Sequence, residues 1–117
     1  MVLVDTSVWV GHLRQSDADL VRLLDDGRVL GHQLVTQELA CGHLKNRKVI
    51  LTLLEALPQA PLAAHAEILD FIERHKLMGQ GVGLADTHLL ASTMLAKAKL
   101  WTADARLADC ARRLRLL

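Results

Sequence analysis

Short apolar runs alternate with longer amphipathic stretches along the whole chain. Apolar runs at residues 1–4, 29–35 and 99–102 predict buried strands, and weaker runs at 58–62 and 114–117 predict short extended pieces. Between these runs, apolar residues recur at helical spacing. The predicted helices cover residues 6–14, 17–26, 36–44, 49–57, 63–78, 84–96 and 105–113. Strands that alternate with helices predict one α/β domain over residues 1–117 with a mainly parallel sheet.

The predicted helix ends rest on capping residues and helix breakers. Ser16 and Thr36 are the predicted N-caps of the second and third helices, because a hydroxyl there can accept a hydrogen bond from a free N–H group. Gly27 and Pro58 are the predicted ends of the second and fourth helices. Residues 79–83 carry three glycines, but they do not connect a strand to a helix in the dinucleotide-binding arrangement. They therefore predict only a flexible loop.

The composition narrows the class of protein. With 117 residues, 51% hydrophobic and 23% charged, the chain can form one domain with its own core, and disorder is excluded. No apolar run of about 18 residues predicts a membrane span. Asp5 interrupts the apolar start, which argues against a signal peptide. Only Cys41 and Cys110 are present, so a disulfide scaffold is not expected and a cytoplasmic location is predicted.

The charge is distributed unevenly along the chain. The net charge is +1, although proteins that act on nucleic acids usually carry a basic excess. Residues 1–26 contain two basic and five acidic side chains, whereas residues 97–117 contain six basic and two acidic ones. This basic tail predicts either a solvated helix face or a surface that contacts phosphates. Its cations are Lys97, Lys99, Arg106, Arg112, Arg113 and Arg115.

Four acidic residues, Asp5, Glu38, Asp86 and Asp104, lie near predicted helix starts, three of them shortly after a strand. Any one of them can be explained as a helix cap. Together they are expected at the edge where parallel strands end, and a cluster of carboxylates there requires a neutralising cation. Hard oxygen ligands favour Mg²⁺ or Mn²⁺ over Zn²⁺. Such a cation can lower the pKa of a bound water and stabilise a phosphoryl transition state.

The segments around these acids resemble a known family. They are Val4–Trp9, Glu38–Leu39, Gly83–Ala91 and Leu100–Asp104. In this order and spacing they are similar to the motifs of PIN domains and, more narrowly, of the VapC toxins of bacterial type II toxin–antitoxin pairs. The resemblance covers essentially the whole chain. It implies a parallel sheet of about five strands with helices on both faces.

The resemblance also implies an activity and a set of site residues. It implies a metal-dependent endoribonuclease in which one or two Mg²⁺ or Mn²⁺ ions are held by the catalytic acids Asp5, Glu38, Asp86 and Asp104. The resemblance implies polar helpers at Thr6 or Ser7, beside the first acid, and at Thr102, at the end of a strand. Hydrolysis by activated water would leave 5′-phosphate and 3′-hydroxyl ends.

The resemblance further implies partners and exposes one departure from the family pattern. Many relatives carry a basic or polar residue where this chain has Ala103, and Arg106 is the residue that can substitute as a phosphate contact. The expected partners are an RNA substrate, a second copy of the chain and a small cognate antitoxin. The antitoxin would clamp the apolar helices 49–57 and 63–78 and supply the DNA-binding part, which this chain lacks. No membrane partner is expected.

Two other functions remain open from the residues alone. A PIN-like interaction module without catalytic activity would also keep the fold. A phosphatase that uses an aspartate likewise begins with a strand ending in Asp, but Ser7 stands where that class usually has its second Asp. The six histidines form no zinc-binding spacing. His88 lies two residues after Asp86, so a helix turns it away from the acid, and we predict a core or interface position.

Overall fold

Three short parallel strands lie at the centre of the computed structural model, which describes residues 1–117. They are β1 (Val2–Val4), β2 (Val29–Leu30) and β3 (Lys99–Trp101), in the order β2-β1-β3. Leu3 pairs with Leu30 on one side and with Leu100 on the other. All three strands run in the same direction, so their C-terminal ends meet at one edge of the sheet. We call this the carboxyl edge and the opposite one the amino edge.

Seven helices connect and flank the strands, and none is long and apolar enough to cross a membrane. They are α1 (Thr6–Arg14), α2 (Ala18–Asp25), α3 (Gln33–Ala40), α4 (Arg47–Ala56), α5 (His65–His75), α6 (Leu84–Leu95) and α7 (Ala105–Arg113). The β1–α1, β2–α3 and β3–α7 connections are short. Each therefore brings a helix N-terminus to the carboxyl edge.

The core is one continuous apolar cluster around the sheet and helix α6. Leu3 of the central strand and Leu89 and Leu90 of α6 are completely buried. Helix α6 contacts both α5 and β3, and most of its residues after the first turn are buried. Burial on this scale stabilises a fold by about 1.5–3 kcal/mol for each large apolar side chain. Helix α6 is thus held firmly, and its N-terminus with it.

The sheet has three strands, not the five that the resemblance implied. The predicted piece at 58–62 makes a single parallel bridge between Gly31 and Gln59. It does not extend further, because Pro58 and Pro61 have no N–H group to donate to a neighbouring strand. The predicted piece at 114–117 is not a strand either. Its Leu116 carbonyl accepts one hydrogen bond from Leu100 N–H, at 2.6 Å, and the left-handed φ of 60° at Arg115 interrupts an extended run.

Two predicted caps and one predicted strand were also wrong. Asp17, not Ser16, caps α2, since its Oδ1 accepts hydrogen bonds from two first-turn N–H groups. Thr36 lies inside α3, which begins at Gln33. The second strand ends at Leu30, and the rest of the predicted run turns into α3 because His32 caps that helix. Both cysteines are free, as expected for a chain without a disulfide scaffold.

Candidate metal centre

Asp5 is the most buried acid of the chain, with 5% of its surface exposed. It follows β1 directly and caps α1, so its carboxylate points into the carboxyl edge. Its Oδ1 accepts a hydrogen bond from Thr6 N–H at 2.8 Å. Its Oδ2 accepts two, from the hydroxyls of Ser7 and Thr102, each at 2.7 Å. Three donors from two strand ends therefore orient this carboxylate.

The same hydroxyls connect Asp5 to the end of β3. Thr102 Oγ1 accepts a hydrogen bond from Asp104 N–H at 3.0 Å, and Ser7 Oγ accepts one from Ala103 N–H at 3.0 Å. Asp104 caps α7, where its Oδ1 accepts a hydrogen bond from Leu107 N–H at 2.9 Å. Two predicted polar helpers thus hold the backbone that carries the fourth acid. The capping explanation is also correct for Asp5 and Asp104, and it does not exclude a second role.

Glu38 reaches the site from helix α3 through the third predicted helper. Thr6 Oγ1 donates a hydrogen bond to Glu38 Oε1 at 2.7 Å. Because α3 begins at Gln33, Glu38 lies in the second turn of the helix, not in the first turn as the sequence suggested. It is exposed and does not cap the helix. Capping therefore does not explain its position.

Asp86 in the first turn of α6 is half-buried and faces the other three acids. Burial raises the pKa of its carboxyl, and the neighbouring carboxylates of Asp5 and Asp104 raise it further. Glu38 adds a smaller effect of the same sign on this pKa. Four acids that come from well-separated parts of the chain therefore share one electrostatic site at the carboxyl edge.

The chemistry of this site suits a hard divalent cation. Its donors are carboxylate and hydroxyl oxygens, the ligand types that Mg²⁺ and Mn²⁺ prefer. Burial and the neighbouring carboxylates both disfavour the negative charge of Asp86, so a bound cation would lower the electrostatic cost of this arrangement. No three acidic, histidine or cysteine side chains lie close enough in this structure to enclose an ion by themselves. The types of donor therefore suit a hard cation, although the side chains as placed do not enclose one.

Arg106 lies at the same edge but forms no ion pair with the acids. Its side chain lies across Gly81 in the loop before α6. A Cβ atom at Gly81 would lie 2.7 Å from Arg106 Cδ, and the φ of +78° there also favours glycine. This contact connects α7 to the glycine-containing loop that leads to Asp86. A phosphate contact by Arg106 remains a prediction.

Three of the six cations of the basic tail lie at the amino edge and have partners there. Arg112 forms an ion pair with Asp109 at 2.9 Å, and Arg113 donates a hydrogen bond to the carbonyl of His75 at 2.9 Å. Lys99, the first residue of β3, donates to the carbonyl of Arg115 at 3.1 Å. The end of the chain therefore returns to the start of β3, on the side opposite the acids. This placement favours a structural role for these side chains.

Sequence reasoning missed His32, a completely buried side chain that joins two helices of the site. Its Nδ1 accepts a hydrogen bond from Leu34 N–H at 3.0 Å, so its proton lies on Nε2, which donates to Ser92 Oγ at 2.9 Å. Burial, with a smaller contribution from His88, lowers the pKa of His32 to about 4. The neutral ring thus connects α3, which carries Glu38, to α6, which carries Asp86.

His88 is half-buried on α6, and its Nδ1 is buried without a hydrogen-bond partner. This agrees with a position in the core rather than among the acids. No local pattern in the sequence distinguished His32 from His88 as the capping residue. The sequence interpretation placed His32 inside the predicted strand 29–35, so its capping role was not foreseen.

Comparison with known proteins identifies the class that this fold and site define. The PIN domain family matches residues 2–113, so the chain belongs to the PIN-domain family. Ribonuclease VapC32 of Mycobacterium tuberculosis, strain H37Rv, is 50% identical to it over 113 residues. Ribonuclease VapC32 of the CDC 1551 strain has the same identity. In each case the alignment covers 95% of this chain and 91% of the relative.

Proposed function

We propose that this protein is a metal-dependent endoribonuclease that acts as the toxin of a toxin–antitoxin pair. The observation that carries the proposal is the convergence of three carboxylates, Asp5, Asp104 and Glu38, on Asp86, whose pKa is raised by burial and by these neighbours. The similarity to ribonucleases named VapC32 supports RNA as the substrate. The proposed catalytic and metal-binding residues are Asp5, Glu38, Asp86 and Asp104, with Mg²⁺ or Mn²⁺ as the cofactor.

The hydrogen bonds of the site give each residue a specific task in this proposal. A bound divalent cation would supply a more acidic water and stabilise the negative charge of the phosphoryl transition state. Asp5 provides a carboxylate whose direction is fixed by three hydrogen-bond donors before any cation binds. Thr6 orients Glu38 through their 2.7 Å hydrogen bond. Such preorganisation lowers the free energy needed to assemble the reacting groups.

Asp86 is suited to take up the proton of the attacking water. As a carboxylate of the site, it can accept a hydrogen bond from that water and orient it, a task that Glu38 can share. Its helix is fixed by the buried residues of α6 and by the His32–Ser92 hydrogen bond. Cleavage by this route leaves 5′-phosphate and 3′-hydroxyl ends. Thr6, Ser7, Thr102 and Arg106 are proposed to position the acids or the substrate.

A cleavage assay tests the proposal directly. Metal-free protein is mixed with labelled RNA, Mg²⁺ or Mn²⁺ is added, and wild type is compared with Asp5→Asn and Asp25→Asn. Asp25 is an exposed acid of α2 without a hydrogen bond or ion pair of its side chain, so it is a matched control. We expect at least about a hundredfold loss for Asp5→Asn, since even the partners of metal ligands contribute about 10–100-fold.

The same assay separates the proposal from the two alternatives. Activity that survives in Asp5→Asn would refute the nuclease proposal. Cation binding without cleavage of any RNA would favour an interaction module. Hydrolysis of small phosphate monoesters by wild type, with no effect on RNA, would favour a phosphatase.

The exposed apolar surface supports the proposed protein partners. Val49 and Leu53 on α4 are each 60% exposed, and Leu69 on α5 is 53% exposed. Next to α4 lies an apolar cavity of about 270 Å³ with Trp9 and Ile50 in its wall. Exposed apolar patches commonly mark protein interfaces. We propose that a small antitoxin clamps α4 and α5, blocks the acids with an Arg or Lys side chain and provides the DNA-binding part of the pair.

The oligomeric state and location are part of the same proposal. We propose that the chain forms a homodimer in the cytoplasm, where its RNA substrate is found. Co-expression with the product of the neighbouring gene, followed by light scattering on the purified material, tests both partners. A lone chain that stays monomeric and never binds the neighbouring product would refute this part.

A further inference from the structure

A groove of about 830 Å³ extends from the acidic site along helices α1 and α3. At the site its wall contains Thr6 and Glu38, the two residues joined by the 2.7 Å hydrogen bond. Away from the site the wall consists of the last turn of α1, the segment 42–46 and the start of α4. The groove therefore begins where the scissile phosphate is proposed to lie and leads away from it.

The groove carries cations that have no partner within the protein. Arg14 ends α1, and Lys45 lies in the segment before α4. Both side chains are exposed, and neither forms an ion pair or a side-chain hydrogen bond. Glu38 is the only acid in the wall of the groove, and it lies at the catalytic end. The electrostatic character thus changes from acidic to basic along the groove.

The backbone that presents Lys45 is braced by a third cation. The guanidinium of Arg47 donates hydrogen bonds to the carbonyls of Gly42, at 3.1 Å, and Ala40. These bonds satisfy carbonyl groups at the C-terminal end of α3, where the helix leaves them without partners. The guanidinium of Arg47 therefore already has partners within the protein. Arg14 and Lys45 remain available to a ligand.

We propose that this groove binds the phosphate backbone of the RNA strand on one side of the scissile bond, with Arg14 and Lys45 as the phosphate contacts. The inference rests on the proposed ribonuclease function. It adds the path along which the RNA strand leaves the acidic site, which we call the substrate path. Unpaired cations attract phosphate groups and donate hydrogen bonds to them. Contacts between a protein and the phosphate backbone set the register of a nucleic acid without reading its sequence. The groove has no Trp or Phe in its wall, and His43 is its only aromatic side chain, so backbone contacts outnumber stacking contacts in this mode.

The salt dependence of RNA binding tests this path, because it measures the number of phosphates that the protein contacts. For single-stranded RNA, the slope of log affinity against log salt changes by about 0.7 for each phosphate contact. The double variant Arg14→Gln/Lys45→Gln is therefore expected to have a slope shallower by about 1.4 than wild type. This corresponds to an affinity loss of about 25-fold at roughly 0.1 M salt relative to 1 M.

A matched variant controls for net charge. Arg28→Gln/Arg112→Gln also removes two exposed cations, but Arg28 precedes β2 and Arg112 ends α7, both away from the carboxyl edge. Its slope is expected to equal that of wild type. The probe is a short fluorescent oligouridylate. Ca²⁺ is added to neutralise the acids, and a gel verifies that the RNA stays uncut. Thermal unfolding verifies that both variants fold.

The outcomes separate this inference from the proposed function. Equal slopes for wild type and the groove variant, equal losses in both variants, or no RNA binding by wild type would each overturn the substrate path. Loss of antitoxin binding with an unchanged RNA slope would also overturn it and assign the groove to the protein partner. The proposed function is assessed separately, by whether wild type cleaves RNA when Mg²⁺ is added.

Discussion

The two edges of the sheet differ in whether their charged side chains have partners within the protein. At the amino edge, Arg112, Arg113 and Lys99 each have a partner within the protein, an acid or a backbone carbonyl. At the carboxyl edge, four acids have no basic side chain paired to them, and burial together with the neighbouring carboxylates raises the pKa of Asp86. Water stabilises exposed charges, but a half-buried carboxylate among other carboxylates is stabilised further by a bound cation. The contrast therefore supports the carboxyl edge as the proposed functional site.

This contrast changes the meaning of the basic tail. A net of +4 over residues 97–117 suggested either a phosphate surface or a solvated helix face. Helix α7 begins at the acids but runs away from them, so most of its cations finish at the far side of the molecule. Of the unpaired cations of the groove, Arg14 comes from the acidic first 26 residues and Lys45 from the basic run 45–48. The proposed phosphate contacts therefore lie outside the basic tail.

The largest expected effect separates two acids on the same helix. Asp104 caps α7 at the carboxyl edge, whereas Asp109 pairs with Arg112 in solvent. We expect Asp104→Asn to lower RNA cleavage at least about a hundredfold, because Asn keeps the N-cap but removes the charge. Asp109→Asn is expected to stay within about twofold, since exposed ion pairs contribute about 0–1 kcal/mol. Equal cleavage rates in the two variants would eliminate the distinction between the edges.

A smaller effect is expected from the hydroxyls that hold the first acid. Thr102→Val keeps the shape of the side chain but removes the donor to Asp5 Oδ2. We expect cleavage and apparent Mg²⁺ affinity to fall about 10–100-fold, as for other residues that orient metal ligands. Thr52→Val removes an exposed hydroxyl that bonds only a helix carbonyl and serves as the control. An unchanged Mg²⁺ titration in Thr102→Val would show that Ser7 and Thr6 suffice to orient Asp5.

The buried histidine behind the carboxyl edge predicts a pH-dependent stability. The pKa of His32 is about 4 in the folded protein and 6.5 as a free side chain, so the unfolded chain binds a proton first as the pH falls. Its contribution is fully present above pH 6.5 and is lost between about 6.5 and 4, by roughly 1–3 kcal/mol. Urea unfolding at several pH values measures this loss. It should vanish in His32→Asn and persist in His65→Asn, whose histidine is exposed.

The smallest expected effect is a gain in stability at the site itself. The folded pKa of Asp86 lies above its ordinary value of 3.8, so the unfolded chain ionises first and the fold loses stability as pH rises through the folded pKa. Asp86→Asn removes this repulsion. Without divalent cations at neutral pH, we expect its Tm to rise on the order of a few degrees. Added Mg²⁺ should raise the Tm of wild type more than that of the variant, and an equal rise would contradict the shared site.

Some features followed directly from short segments of sequence. Asp5 and Asp104 each stand between an apolar run and an amphipathic helix, and a strand that leads into a helix places such a residue at the carboxyl edge whatever surrounds it. Val4–Trp9 therefore indicated both the element boundary and the site. The family resemblance implied Ser7 and Thr102 as polar helpers, and their hydroxyls donate hydrogen bonds to Asp5 Oδ2 in the structure. Their role in the activity stays a prediction.

Other features depend on contacts between distant parts of the chain. The start of α3, and with it the helical turn of Glu38, depends on His32, whose ring is held by Ser92 60 residues later. The missing fourth and fifth strands follow from backbone details, since Pro58 prevents a ladder on one side and Arg115 turns away on the other. The groove arises only when α1 and the segment before α4 meet. No local pattern contains that information.

The most direct test of the central claim follows bound metal and cleavage in the same samples. Metal-free protein is titrated with Mn²⁺, free Mn²⁺ is measured by electron paramagnetic resonance, and cleavage of labelled RNA is recorded at each point. If the four carboxylates of the carboxyl edge form the catalytic metal site, cleavage rises in step with bound Mn²⁺, and both are lost in Asp5→Asn. RNA cleavage by metal-free protein, or bound Mn²⁺ and cleavage that are both unchanged in Asp5→Asn, would contradict it.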